Sequence, residues 1–273
     1  MLLQRILTAV PLAIAIIWII LFGSHQLFFW LTIIVTGLAA FEWAKLSGLS
    51  TPLRIAYALF LAAIPWAVFI YAAQIVPYYV YAGVIWWFAV CLYLFKKQPK
   101  AVSKAISPQK LMAGVLIIPA TVLAMNSIHA QQNGPAWLLY GLMLIWAADI
   151  GAYFSGKRFG RNKLAPLISP GKTREGLLGA IVAACLFSLV AAFYFGLDAI
   201  AALSLLLLAV VLTLVSVAGD LYESVLKREY GVKDSGRILP GHGGILDRID
   251  SVLAAMPVFM VGWTLLLQPA VEL

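Results

Sequence analysis

Nine apolar segments, each long enough to cross a lipid bilayer, follow one another along this chain. A transmembrane helix needs about 20 predominantly apolar residues. Charged residues make up only 11% of the sequence, whereas a soluble domain carries roughly a quarter. The runs lack strand alternation, and backbone polar groups in hydrocarbon must be satisfied within their own segment, so the pattern predicts an all-α polytopic membrane bundle. The predicted spans are 6–22, 27–44, 55–73, 76–95, 111–128, 136–154, 177–197, 200–219 and 252–270.

The basic residues are distributed very unevenly between the connections. All 19 Lys and Arg residues precede the first span or lie in alternate connections, while the other connections and the C-terminal tail carry only Asp198 and Glu272 as charges. Because cytoplasmic loops retain Lys and Arg, this asymmetry predicts a cytoplasmic N-terminus and a multi-pass protein of the cell inner (plasma) membrane. The formal net charge of +8 also suits anionic lipid headgroups or nucleotide phosphates.

The polar residues divide the chain into two parts of one membrane unit. Residues 1–135 form a predicted transmembrane scaffold, because their spans hold almost no ionisable side chain. Glu42 is the exception, and Lys45, three residues later, is its expected ion-pair partner. Residues 136–273 form a predicted catalytic region that faces the cytoplasm. Eight of the 11 acidic residues lie in the stretches 149–175 and 220–250.

The eighth span ends in a polar stripe. If its helix continues past the membrane edge, Asp220, Glu223, Ser224 and Lys227 fall at i, i+3, i+4 and i+7, which is one helix face. The stripe would then project from the bilayer surface as part of a site. The alternative is a solvated helix end with intrahelical ion pairs.

A glycine-rich segment follows this stripe. Glycines 241, 243 and 244 flank His242, and Lys233 and Arg237 lie just before them. Glycine lets backbone N–H groups approach a phosphate closely, and adjacent cations neutralise its charge. The composition therefore indicates a phosphate-binding segment, in which His242 is either a phosphate or leaving-group contact or a turn histidine.

Two carboxylates one turn apart, Asp247 and Asp250, precede the last span. Mg²⁺ prefers one or two carboxylates together with water and substrate phosphates. Asp220 and Asp247, at the facing ends of spans eight and nine, are therefore the predicted ligands of Mg²⁺. Salt bridges to Arg228 or Arg248 are the alternative, for Asp250 in particular.

A second polar region surrounds the end of span six. Asp149 lies within that span or near its end, where an ionisable group is a functional candidate by default. The later Gly171-Lys172-Thr173 triplet is not a P-loop, because Pro166 replaces the required earlier glycine and no strand precedes it. Ser169 and Pro170 instead resemble a helix start, whose free N–H groups, with Lys172 and Arg174, could hold an anion.

At this point the sequence resembles a known family, the phosphatidate cytidylyltransferases or CDP-diacylglycerol synthases. The family signature runs Ser-x-apolar-Lys-Arg, four residues, Lys-Asp-x-small, two residues, apolar-Pro-x-His-Gly-Gly-apolar-x-Asp-Arg-apolar-Asp. Residues 224–250 fit every specified position without a gap. Residues 149–157 and 169–176 are similar to the family's upstream elements, except that Gly171 replaces the usual basic residue.

The resemblance implies transfer of CMP from CTP to phosphatidate. The implied cofactors are Mg²⁺ and a second metal or monovalent cation. Membrane lipids are expected partners, and nucleic acid is not. The resemblance also implies a homodimer. The catalytic candidates are Asp220, Asp247, Lys227 and His242. The substrate-binding candidates are Asp149, Tyr153, Lys157, Ser169, Lys172, Thr173, Glu175, Glu223, Ser224, Arg228, Lys233, Asp234, Arg237, Gly243, Gly244, Arg248 and Asp250.

Two other functions compete with this one. A CTP-dependent lipid kinase of the polyprenol or dolichol type would use the same nucleotide, but it would need a base to activate a lipid alcohol. A transporter could also combine an intramembrane Asp with basic loops, although polar residues near the midplane and broken helices in paired halves would then be expected. The polar residues of this chain instead cluster at one surface.

Overall fold

The computed structural model describes residues 2–94, 101–238 and 243–267 of the chain. These residues form helices joined by short connections, with one small hairpin before α7. The elements are α1 (Leu2–Phe22), α2 (His25–Leu46), α3 (Thr51–Tyr71), a 3₁₀ turn (Ala73–Ile75), α4 (Val76–Leu94), α5 (Pro108–His129), α6 (Gly134–Phe159), β1 (Lys163–Ala165), β2 (Ser169–Thr173), α7 (Arg174–Tyr194), α8 (Ala199–Tyr230) and α9 (Leu246–Leu266).

The polytopic helical architecture predicted from the sequence is confirmed. Within the described residues, eight helices are long and apolar enough to cross a membrane, namely α2 to α9, with the 3₁₀ turn joined to α4. The first predicted span, 6–22, lies within α1. The chain is therefore a multi-pass membrane protein.

The bundle buries its large side chains between helices and exposes others on its outer surface. Trp43, Trp87, Trp137 and Phe259 are almost fully buried, whereas Phe193 on α7 is 92% exposed. Such apolar exposure is stable where the outer surface meets lipid rather than water. The buried core includes residues of every helix from α1 to α9, so the two parts of the chain share one core, and their division at 135 stays a prediction.

Small residues bring the helices of the second half close together. A methyl group on Gly151 of α6 would lie 2.5 Å from Cβ of Ala183 on α7, and one on Gly219 of α8 would lie 2.6 Å from the Asp250 carbonyl oxygen on α9. Without a driving force from water, membrane helices associate through such close backbone packing. The α8–α9 crossing therefore places Asp220, the neighbour of Gly219, beside the start of α9.

Helix α8 is 32 residues long, so at 1.5 Å per residue it is longer than the roughly 30 Å hydrocarbon core. This confirms the prediction that the helix continues through Asp220 and Lys227. Its N-cap is Asp198, whose side chain accepts the Ala201 N–H, and its C-cap is Gly231, whose φ of 78° is left-handed. That C-terminal glycine turns the chain back towards α9.

Candidate active site

The polar stripe on α8 faces the protein interior. Lys227 is 9% exposed, and its Nζ lies 2.5 Å from Oε2 of Glu223 and 2.7 Å from Oδ1 of Asp247 on α9. Glu223 and Ser224 are buried as well. The alternative of a solvated helix end is therefore wrong, because α9 covers the stripe. The projection of the stripe from the bilayer surface stays a prediction. A buried lysine between two carboxylates ties α8 to α9.

Asp247 organises the segment that precedes α9. Its Oδ2 accepts hydrogen bonds from the Ser235 N–H at 3.0 Å, the Ser235 hydroxyl at 2.9 Å and the Gly244 N–H at 2.8 Å. Gly243 supports this turn with a left-handed φ of 83°. Both oxygens of Asp247 therefore bind donors of the chain itself, and its role as a metal ligand stays a prediction.

A cavity of about 380 Å³ joins the two polar regions of the sequence. Its wall contains Asp149, Tyr153 and Lys157 of α6 and Asp220 of α8, together with Lys172 of the hairpin. Nζ of Lys172 lies 2.6 Å from Oδ2 of Asp220. The structure therefore brings together residues that are up to 71 positions apart, as the sequence analysis expected.

The remaining contacts in this wall orient its side chains. The Ser224 hydroxyl donates to Oδ1 of Asp220 at 3.3 Å. On α6, Nζ of Lys157 lies 5.7 Å from the ring centroid of Tyr153, within the range of a cation–π contact. Asp149 is exposed to the cavity. These residues line one volume that contains both acidic and basic groups.

The hairpin corrects one prediction. Ser169 and Pro170 do not begin a helix but lie in β2, where Ser169 pairs with Ala165 of β1. The helix begins at Arg174, and Thr173 is its N-cap, with Oγ1 accepting the Gly176 N–H at 3.0 Å. The pairing of β2 with β1 was missed because both strands are short and β2 contains Pro and Gly. The expectation that no strand precedes the Gly-Lys-Thr triplet is wrong, because β1 does. A P-loop stays excluded, since Pro166 replaces the required glycine and the triplet itself lies in a strand.

Glu175 fixes the base of this hairpin. Its carboxylate accepts the backbone N–H of Arg161 at 3.1 Å and the side-chain amide of Asn162 at 2.7 Å. The Ser155 hydroxyl donates to its carbonyl oxygen at 2.8 Å. Glu175 therefore holds β1 and β2 next to α6, and its contact with substrate stays a prediction.

Several predicted substrate-binding residues lie at the edge of this region. Arg228, Lys233, Asp234, Arg237 and Arg248 are exposed, and Nη1 of Arg228 reaches the Val232 carbonyl oxygen at 3.5 Å. The exposure of the four basic side chains leaves them accessible to a soluble anion. His242 and the neighbouring Gly241 lie outside the described residues.

Carboxylates outnumber cations across the buried site. Asp149 interacts electrostatically with Lys172 and Asp220, and Asp250 interacts with Asp220, Lys172 and Lys227. Glu223 interacts with Asp250, Lys227 and Asp247. Five carboxylates and two ammonium groups therefore interact within this region. Carboxylates in excess of cations favour either protonation or a bound cation.

This donor set fits a hard cation. Oε1 of Glu223 is buried and has no hydrogen-bond partner among the described residues, and Asp220 is exposed to the cavity. Among the same residues, no group of three or more His, Cys, Asp or Glu side chains is arranged to hold a metal ion. A Mg²⁺ site that water and substrate phosphates complete does not need such a group. Asp220 is the best-placed predicted ligand.

The first half of the chain also reaches this region, which the sequence analysis missed. Oε2 of Glu42 accepts the Ser235 hydroxyl at 3.0 Å and the Leu246 N–H at 2.8 Å. Nζ of Lys45 donates to the Ser235 carbonyl oxygen at 2.8 Å. The expected Glu42–Lys45 ion pair is therefore replaced by two separate contacts with residues 235–246. The only signal in the sequence was an acidic residue within a membrane span.

Comparison with known proteins places the chain in a family. The model of the cytidylyltransferase family matches residues 3–266. The chain belongs to this family. It is 38% identical to a phosphatidate cytidylyltransferase of Pseudomonas aeruginosa over 264 residues, which cover 95% of this chain and 96% of that protein. It is 37% identical to that of Haemophilus influenzae, with 95% and 97% covered. A Bacillus subtilis phosphatidate cytidylyltransferase is 50% identical over 133 residues, which cover 47% of this chain and 48% of the relative.

Membership of the cytidylyltransferase family confirms the resemblance recognised in residues 224–250. In the structure this signature covers the end of α8, the turn at Gly231 and the start of α9. Its Lys227 and Asp247 form a direct ion pair. The described residues of the signature therefore include the end of one helix and the start of the next, which the Lys227–Asp247 ion pair joins.

Proposed function

We propose that the protein transfers CMP from CTP to phosphatidate, which forms CDP-diacylglycerol and pyrophosphate for phospholipid synthesis. The observation that carries this proposal is the match over 95% of the chain to relatives named phosphatidate cytidylyltransferase. The cavity beside Lys172 and Asp220 supports it, because it offers charged groups for phosphates next to lipid-facing helices. The names of the relatives do not favour the alternative of a CTP-dependent lipid kinase.

The reaction needs charge neutralisation more than it needs a base. An oxygen of the phosphatidate phosphate forms a bond to the α-phosphorus of CTP, and the bond from that phosphorus to the bridging oxygen breaks as pyrophosphate leaves. This oxygen is already anionic, so no alcohol has to be deprotonated. The barrier lies in bringing two negative phosphates together in the correct orientation.

Side chains of the cavity are placed to meet that requirement. Lys172 and Lys157 line it and would bind phosphate oxygens, while Tyr153 and Asp149 would contact the nucleotide. The exposed side chains Tyr153, Phe154 and Leu178 lie on the neighbouring faces of α6 and α7. They would leave the acyl chains of phosphatidate in lipid while its headgroup enters the cavity.

We also propose that Mg²⁺ is required and that Asp220 holds it. When bound, the ion would offset phosphate repulsion and stabilise the departing pyrophosphate. The number of carboxylates around the cavity and the partly exposed side chain of Asp220 support this assignment. Asp247 would contribute to the same site only if it exchanged some of its contacts with Ser235 and Gly244. A second metal or monovalent cation and a homodimer remain part of the proposal on family resemblance alone.

The proposed site faces the cytoplasm from the inner membrane. CTP comes from that side, and the Lys and Arg residues that surround the site follow the rule for cytoplasmic loops. Labelling of single cysteines in intact cells tests this orientation. A cysteine at Lys163, on the hairpin, should be protected from an impermeant thiol reagent, while one at Asp198, at the other end of α8, should react.

The decisive experiment measures CTP-dependent conversion of phosphatidate by the purified protein in detergent, with polyprenol as the competing acceptor. CDP-diacylglycerol formation that requires Mg²⁺ and is lost in Asp220→Asn is the expected result. Asp198→Asn is the matched control, because it makes the same change at the opposite end of α8 and keeps an N-cap oxygen. Folded wild-type protein that phosphorylates polyprenol, or that acts on neither lipid, would contradict the proposal.

A further inference from the structure

Glu42 is a buried acidic residue within a membrane-spanning helix, and the proposed reaction does not use it directly. Its side chain is only 2% exposed. A carboxylate at such a position is costly unless donors surround it. On α2, the role expected from the sequence was an ion pair with Lys45, but the carboxylate points to another part of the chain.

The donors that bind Glu42 come from residues more than 190 positions away. One is the N–H of Leu246, the first residue of α9, at 2.8 Å from Oε2. The first N–H groups of a helix have no partner within the helix, and an anion there is also favoured by the helix dipole. Ile245, at the N-cap of α9, provides no side-chain hydrogen bond. Glu42 thus supplies from α2 the cap that α9 lacks.

The second donor links Glu42 directly to the site. The Ser235 side chain is 0% exposed, and its Oγ lies 3.0 Å from Oε2 of Glu42 and 2.9 Å from Oδ2 of Asp247. Its single hydroxyl hydrogen serves one carboxylate at a time, so both carboxylates restrain the same group. Lys45 holds the Ser235 carbonyl oxygen from the same helix. Asp247 in turn binds Lys227.

Two glycines of residues 224–250 give the carboxylate its space. A methyl group on Gly236 would overlap Oε1 of Glu42, and one on Gly244 would overlap Oε2 of Glu42 and Oγ of Ser235. The glycine at position 244 therefore admits the Glu42 carboxylate, in addition to donating its N–H to Asp247. This explains a glycine that the sequence analysis assigned only to phosphate binding.

We infer that Glu42 is a positioning residue for the transfer reaction, acting through Ser235 and the N-terminus of α9 on Asp247 and Lys227. The inference rests on the proposed function for its catalytic consequence. The first half of the chain then contributes to the geometry of the site as well as to the scaffold. A misplacement of catalytic groups by about 1 Å can cost roughly 100-fold in rate, so loss of this anchor should reduce turnover more than substrate affinity.

The first test is independent of activity. Hydrogen exchange followed by mass spectrometry compares wild type, Glu42→Gln and Thr36→Val in detergent. Thr36 is the matched control, since it is buried on the same helix and, among the described residues, its hydroxyl donates to the Thr32 carbonyl oxygen of its own helix. We expect faster exchange of the Ser235 and Leu246 amides in Glu42→Gln alone. Exchange as slow as in wild type would overturn the inference, even if the protein catalysed a different reaction.

The second test measures coupling in the enzyme assay. Glu42→Gln and Ser235→Ala should each lower kcat by roughly 10- to 100-fold with little change in KM for CTP, and the double variant should be no slower than the slower single one. Thr36→Val should keep wild-type kcat. The role of Glu42 would be merely structural if the kcat decreases of the two single variants multiplied in the double variant. The same would follow if Thr36→Val lowered kcat as much as Glu42→Gln. If Glu42→Gln does not fold, Ser235→Ala replaces it in both tests. Faster exchange of the Leu246 amide and a lower kcat in Ser235→Ala are then the expected results, and wild-type values of both would overturn the inference.

Discussion

Lys172 on strand β2 and Asp220 on helix α8 form an ion pair, with Nζ of the lysine 2.6 Å from Oδ2 of the aspartate. The pair lies in the wall of the cavity that we propose for CTP, and both side chains remain partly exposed. It therefore joins the hairpin to α8 without closing the site to solutes. When substrate binds, Lys172 can leave this pair to contact a phosphate, and Asp220 can leave it to contact a cation.

Replacement of Lys172 by Met should lower kcat/KM for CTP by about 10- to 100-fold, as expected when one charge-assisted contact of roughly 1.5–3 kcal/mol is lost. The reason is that a cation is removed from a cavity that already holds Asp149 and Asp220. Lys163→Met is the matched control, because Lys163 is exposed on β1 of the same hairpin. Steady-state kinetics of the two variants compare them directly. Equal effects would mean that only the general charge of the hairpin matters.

Lys227→Met tests the buried ion pairs between α8 and α9. The substitution leaves Glu223 and Asp247 without the ammonium group that lies within 2.7 Å of both. Breaking a buried pair by removing one partner costs about 3–5 kcal/mol. We therefore expect a clear fall in the thermal unfolding midpoint of the purified protein.

The double variant Lys227→Met/Glu223→Gln should recover part of that stability, because it removes one of the two unpaired charges. Both variants should be inactive, since Asp247 has lost its ion pair with Lys227 in each of them. A Lys227→Met protein that unfolds at the wild-type temperature would mean that the two carboxylates do not depend on the lysine.

The sequence predicted the helices well, because apolar runs of membrane length have few alternative structures. The α8 extension was also predictable from the spacing of Asp220, Glu223, Ser224 and Lys227. Its burial was not, since the same spacing describes a solvated helix face, and the covering segment is defined only by tertiary packing. The hydrogen bond from Leu246 to Glu42 joins residues 204 positions apart, which no local pattern could indicate.

The residues of the site were predictable to the extent that they fall within one contiguous signature. Residues 224–250 identified the family because their fixed positions are many and closely spaced. The partners of those residues were less predictable. Asp247 was expected to face Asp220, but in the structure it accepts hydrogen bonds from Lys227, Ser235 and Gly244. The chain turns back at Gly231, which brings these donors of the chain itself next to the carboxylate.

Gly244→Ala should reduce activity and stability together. A methyl group at this position would overlap Ser235 Oγ and the Glu42 carboxylate, and overpacking of this kind costs typically about 1–3 kcal/mol. Gly37→Ala is the matched control, because the added methyl group on α2 would be 4.0 Å from the nearest neighbour, Cβ of Ala62. Turnover and the unfolding midpoint are measured for both. Wild-type values for Gly244→Ala would show that the carboxylate can move aside.

Gly171→Lys should lower KM for CTP at low ionic strength. Gly171 lines the cavity next to Lys172, and a Cβ atom added there would meet no atom within 4 Å. This is also the position at which the sequence departs from the family's usual basic residue. A new cation would attract the nucleotide triphosphate from solution, and the gain should fade as salt is raised from about 0.01 M to 0.15 M, where the screening length falls from about 30 to 8 Å. Gly171→Gln separates charge from size, because it adds a side chain of similar reach without the positive charge. A lower KM for both variants, or one that salt does not change, would show that the effect is not electrostatic.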